Sequence, residues 1–164
     1  MKILILIVVL SLVYADTIHL ERGGTYSDVQ ITKESYTIIT YQTSEGESRS
    51  LPPSSVKKID YSDAPSQFID GKNAFVQGNY EEAIKMLSEA MEIAKEPPIV
   101  RDWIEQHGNF YLGRSYHEWA ENTADQDRYK QAVSFYEKTV SKQNDSIFLY
   151  ECHFYSAQCH LKIS

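Results

Sequence analysis

The chain has 164 residues, 42% of them hydrophobic, with 16 Lys and Arg against 23 Asp and Glu and a formal net charge of −7. So acidic a chain repels phosphate backbones, and no basic stripe overrides the repulsion, which excludes nucleic acid as a partner. Two cysteines are too few for a disulfide framework.

The N-terminus reads MKILILIVVLSLVYA: one lysine, an apolar run from Ile3 to Leu10 extended by Leu12 and Val13, then Ala15. Charge, short apolar core and small terminal residue predict a secretory signal peptide over residues 1–15, cut after Ala15. A membrane anchor needs roughly 20 apolar residues, more than this run supplies. No cysteine follows the cut, so no lipid anchor is expected. The expected product is exported, periplasmic or secreted, without a membrane span. Roughly 149 residues then remain, enough for one ordinary domain or two small ones.

Residues 16–61 read as a small β module. Thr17–Leu20 is a short strand and Glu21-Arg-Gly-Gly24 a turn. Tyr26–Thr32 alternates, with Val29 and Ile31 on one face, and Tyr36–Tyr41 is rich in β-branched and aromatic residues. Thr43–Ser48 is a second turn, Arg49–Leu51 comes next, Pro52-Pro53 breaks the chain, and Val56–Tyr61 is the last expected strand. Four or five short strands suggest a strongly bent sheet or barrel, too small to be very stable alone and expected to lean on the C-terminal part of the chain. The layout, ending in LPPSSVKKIDY, resembles SH3-like or Sm-like barrel modules, which implies binding or docking and not catalysis.

After Ser62-Asp-Ala-Pro65 the period becomes helical, with helices expected over about 65–77, 80–95, 99–120, 127–142 and 146–162. Gly78-Asn79 suits a left-handed stop. Glu81 and Glu82 open the next helix favourably, Ala83, Leu87 and Ala90 share one face, and Pro97-Pro98 ends it. This stretch resembles the tetratricopeptide repeat, a helical hairpin of 34 residues. Gly71 takes the small-residue place of the first helix, GNYEEA the turn, Ala83 and Ala90 the small places of the second helix, and Leu87 its large apolar place. Gln67 and Asp70 depart from the pattern. A second copy carries Leu112, Gly113 and Tyr116, then Tyr129, Ala132 and Tyr136, with Thr139 for the last alanine. It has seven extra residues, within 121–127, that lengthen either the turn or the helices beside it. A third first helix begins after Asn144-Asp145.

The resemblance implies an α+β fold, with a small sheet or barrel module over 16–61 and about two and a half repeats over 62–164. Fewer than three repeats need support, either from the β module at Phe68's end or from self-association through an exposed helix face.

Catalytic constellations are missing. There is no Gly-x-Ser-x-Gly elbow, phosphate-binding loop, His-Glu-x-x-His or Cys-x-x-Cys. His107 and His117 lie ten residues apart and cannot share a metal. Asn144-Asp-Ser146 is a glycosylation sequon, meaningful only in a eukaryotic host. The reading is therefore no enzyme, no cofactor and no metal.

In the repeat family, first helices line a concave groove for peptides. Registering the units on Gly71, Gly113 and Ala157 aligns Phe68, Phe110 and Phe154; then Lys72, Arg114 and Gln158; then Phe75, His117 and Leu161. The expected groove is Phe68, Lys72, Phe75, Phe110, Arg114, His117, Phe154 and Gln158, suited to a peptide with an acidic group beside bulky apolar side chains. The competing account packs the phenylalanines between first helices. Lys72 and Arg114 have no packing reason. They do not reproduce the Asn-containing carboxylate clamp of some such repeats.

The tail, YECHFYSAQCH, sets Cys152 and Cys159 about 10.5 Å apart along one helix. That exceeds the roughly 7 Å a disulfide spans and also excludes a shared metal, unless a second chain contributes. The register instead implies buried thiols behind a polar face of His153, Ser156 and His160, as on a terminal capping helix. The function expected is an exported, non-catalytic adaptor binding a protein or peptide in its groove. The alternative is an envelope-assembly or enzyme-accessory protein whose β module binds while the repeats self-associate.

Overall fold

The computed structural model describes residues 15–95 and 102–163. All but the last residue of the expected leader, the Pro97-Pro98 stop and the expected helix start near 99 lie outside them. The fold is α+β, an N-terminal antiparallel sheet followed by helices. The strands are β1 (Asp16–Leu20), β2 (Thr25–Glu34), β3 (Ile39–Gln42), β4 (Ser48–Leu51) and β5 (Val56–Asp60). The helices are α1 (Ser66–Val76), α2 (Tyr80–Ile93), α3 (Asp102–Thr123), α4 (Gln126–Lys142) and α5 (Leu149–Ile163).

The sheet order is β4-β3-β2-β1-β5, so the last strand returns to pair with the first. Gly23 and Gly24, at φ 84° and 93°, make the β1–β2 turn in a backbone region that other residues avoid. The register slips in β1 and between Ile31 and Lys33 of β2, irregularities of the kind at which strands bend.

One boundary differs from expectation. The β-branched run from Tyr36 predicts a strand, yet residues 35–38 form a turn and β3 begins at Ile39. The Ser35 amide donates to the Ile38 carbonyl at 2.9 Å, and its hydroxyl accepts from the Ile38 amide at 3.2 Å. The Tyr36 amide meanwhile bonds the Asp145 carbonyl at 3.0 Å, docking this turn on the helices.

The sheet buries one face against the helices. Ile18, Val29, Ile31, Ile39 and Tyr41 form a single cluster with Tyr61, Phe68, Leu87, Trp103, Ile104 and Leu112. Polar side chains tie the same joint. Asp16, wholly buried, accepts from the Ile31 and Ser62 amides, both at 3.0 Å. Buried Glu34 accepts from the Tyr61 hydroxyl, and its other oxygen lies 3.0 Å from His107 Nε2. Satisfying such groups is what makes their burial tolerable.

Each helix packs on the next, and α3 also touches α1 and α5. Gly71 and Gly113 allow close approach, because a Cβ at either would come within 2.7 Å of Leu87 or Tyr136. The seven extra residues lengthen helices. α3 runs 22 residues to Thr123, α4 starts at Gln126, and only Ala124 and Asp125 turn between them. Asp125 caps α4 by accepting from the amides of Asp127 and Arg128. A second core of Phe110, Ala120, Tyr129, Ala132, Val133, Tyr136, Cys152 and Cys159 joins α3, α4 and α5. Both thiols are free and buried, whereas His153 and His160 are exposed.

Candidate partner-binding face

Helices α1, α3 and α5 bring cations and aromatic rings into one ladder. On α1, Phe68, Lys72 and Phe75 recur at helical spacing, as do Tyr111, Arg114 and Glu118 on α3. Lys72 Nζ lies 5.4 Å from the Phe68 ring centre and 5.1 Å from that of Tyr111. The Arg114 guanidinium lies 5.5 Å from the Phe75 ring and 4.2 Å from Tyr155 on α5. Phe75 and Tyr111 close the ladder between the two cations, their centres 6.0 Å apart. A cation over an aromatic face is attracted by the ring quadrupole, more strongly where water is excluded.

The two cations differ in what satisfies them. Arg114 donates to Glu118 at 2.6 Å and to the Tyr155 hydroxyl at 2.8 Å, while its buried Nε has no hydrogen-bond partner among the described residues. Burial works most strongly against its charge, but the Glu118 hydrogen bond together with the charges of Tyr155, Tyr136 and Glu118 outweighs it, and its pKa is raised. Lys72 is half-buried and has no carboxylate within ion-pairing distance among the described residues. Burial pushes its ammonium below the usual lysine range; Asp60 on β5 opposes that shift and Lys58 adds to it. The ladder therefore borders the sheet.

The other expected groove residues scatter. Phe68 and Phe110 are buried, at 3% and 7% exposure; Phe110 stacks on Phe148 with centres 4.0 Å apart. His117 is also buried, its Nδ1 3.3 Å from the Tyr136 hydroxyl, and burial pushes its pKa down. Gln158 lines an open cleft of about 490 Å³ with His117, Glu118, Glu121, Tyr155 and Lys162. Phe154 is exposed on α5 and touches neither cation. Lys72, Phe75 and Arg114 thus come together with Phe68 beneath them; His117 and Gln158 border the Tyr155 end of the same ladder, whereas Phe110 is packed in the core and Phe154 faces outward.

Tyr111, Glu118 and Tyr155 complete the ladder, and the repeat register does not single them out. Each tyrosine comes directly after a phenylalanine that the register selects. Adjacent helical residues point about 100° apart, so an error of one residue moves the choice to another face, inward at Phe110 and out to solvent at Phe154.

A second polar cluster, Glu34, Tyr61 and His107, is enclosed by Phe68, Trp103 and Phe148. A cleft of about 460 Å³ opens beside it, lined by Lys33, Glu34, Trp103, Gln106 and Asp145 among others. Among the described residues no group of three or more His, Cys, Asp or Glu could hold a metal, and no helix is long and apolar enough to cross a membrane. Comparison with protein-family models, with curated proteins and with solved structures found no match to this chain.

Proposed function

We propose that this protein is an exported, non-catalytic adaptor of the tetratricopeptide-repeat type, binding an extended peptide along the α1–α3–α5 ladder. The peptide carries a carboxylate for Lys72 and bulky apolar side chains for the rings of Phe75, Tyr111 and Tyr155. One observation carries this reading: Lys72 lies half-buried over two aromatic rings and, among the described residues, has no carboxylate within ion-pairing distance, Asp60 acting on it only from farther off. A half-buried ammonium in that state gains from an incoming anion, which offsets the cost of its burial and supplies a charged hydrogen-bond acceptor. Arg114, already neutralised by Glu118, orients the aromatic wall instead.

The test is fluorescence anisotropy with labelled peptides alternating Glu with Phe or Leu, against the same peptides with Gln. A hydrogen bond to a charged group contributes about 1.5–3 kcal/mol, so Lys72→Met should weaken the acidic peptides about tenfold or more. It should leave the amide series unchanged, and Lys85→Met on α2 should alter neither. Equal binding of both series, or insensitivity to Lys72→Met, would discard the groove and leave the sheet as the binding element.

A further inference from the structure

We propose that α5 pairs with α5 of a second copy of this chain, antiparallel, about a two-fold axis passing midway between Phe154 and Ala157. Tyr150, Phe154 and Leu161 are 66%, 59% and 79% exposed, Tyr150 while meeting Tyr36 edge-on at 5.3 Å, and Ala157 between them is exposed as well. Their spacings of four, three and four residues place all of them on one stripe of the helix. Within the chain the matching small residues, Gly71 and Gly113, are covered by Leu87 of α2 and Tyr136 of α4. No described helix covers Ala157 in that way.

The spacing of the stripe, though not its residues, is the same in both directions, so the stripe can be set against a second copy of itself. Reversing one helix about the midpoint sets Tyr150 opposite the partner's Leu161 and Phe154 opposite the partner's Ala157. Each large side chain then meets a complementary one, a self-matching patch as two-fold symmetry demands. Glu151 falls opposite the partner's His160, once on each side of the axis. A parallel pair would instead set Glu151 against Glu151 and Phe154 against Phe154.

Charge favours the same face. The whole chain carries a net charge of −7, so two copies repel over most approaches. Within α5 the only acidic residue is Glu151, accompanied by two histidines, while Lys162 pairs with Glu121 of α3 at 3.2 Å. A helix of 15 residues is about 22 Å long at 1.5 Å per residue. One helix pair alone falls at the small end of interfaces, below about 1,200 Å². The dimer is therefore weak and concentration-dependent.

Sedimentation of the purified protein from about 1 μM to about 1 mM should reveal a reversible monomer–dimer equilibrium. Phe154→Asp and Leu161→Asp, both at exposed positions, should each abolish it. Val76→Asp, at an 83% exposed site on α1, should leave it intact. For orientation, Tyr150→Cys and Leu161→Cys variants are mixed and oxidised. A cross-linked heterodimer should dominate over the product of either variant alone, since the native thiols are buried. A protein monomeric throughout, a dimer surviving both Asp variants, or preferential Tyr150→Cys self-cross-linking would each overturn the proposal.

Discussion

Tyr61 lies flat against Trp103, their ring centres 3.9 Å apart and their planes 1° from parallel. The tyrosine ends the sheet segment and the tryptophan opens α3, so this contact crosses from one half of the fold to the other. Phe68 meets the edge of the same indole, and Asp63 accepts from the indole NH at 3.3 Å. The sheet and the helices share one core through these side chains.

Trp103→Ala should therefore weaken both halves together. Truncating a buried tryptophan costs about 3–5 kcal/mol. Thermal unfolding followed by far-ultraviolet dichroism and by tyrosine fluorescence should keep a single transition at a lower midpoint. Two separated transitions would mean that the joint does not couple the halves.

Gly71→Ala tests the close approach of α1 and α2. Alanine is the better helix former by about 1 kcal/mol, yet its Cβ would lie 2.7 Å from Leu87 Cγ and 3.0 Å from the Leu87 amide nitrogen. The backbone atom cannot yield as a side chain can, so a net loss of about 1–3 kcal/mol is expected. At Gly108 the added Cβ would meet only the Met91 side chain, which adapts readily. Gly108→Ala should be the milder change, compared by urea midpoints under the same conditions.

The buried thiols predict an alkaline limit. Burial raises Cys152 and Cys159 from an ordinary 9.0 to about 12 each, and Tyr129 from 10.0 to about 12. Since these folded values exceed the unfolded ones, the stabilisation is complete below about pH 9 and is lost as pH rises towards 12. Ellman's reagent should find no reactive thiol in the folded protein at about pH 8, where an unperturbed thiol already ionises, and two after denaturation. Replacing both cysteines by alanine should flatten the fall in stability just above pH 9. Fast reaction of either thiol in the folded state would contradict the burial.

The helices were legible because their signals are local. Gly78 stops α1 at φ 77°, and Ala83, Leu87 and Ala90, three positions on one face, are all fully buried. The turn at 35–38 was not legible, because Tyr36-Thr-Ile-Ile has the composition of a strand. Its conformation depends on Ser35 hydrogen bonds and on docking against Asp145 and Tyr150, residues more than a hundred positions away. Nor did the sequence tell whether the seven residues by which the spacing from Gly113 to Ala132 exceeds that from Gly71 to Ala83 sit in a loop or in longer helices. Asp125 settles that by capping α4 immediately after α3 ends.

The same division holds at the ladder. Sequence by itself determined the helical periodicity, the small residues at Gly71 and Gly113, and the cations Lys72 and Arg114 one residue after them. It could not decide between neighbours such as Phe110 and Tyr111, or Phe154 and Tyr155. Both members of each pair are aromatic, and they point about 100° apart. Only tertiary packing decides which ring turns inward. Phe110 is held by Phe148, while Tyr111 and Tyr155 are left to face the cations. Periodicity fixes which residues share a face, but what that face meets depends on how distant segments pack.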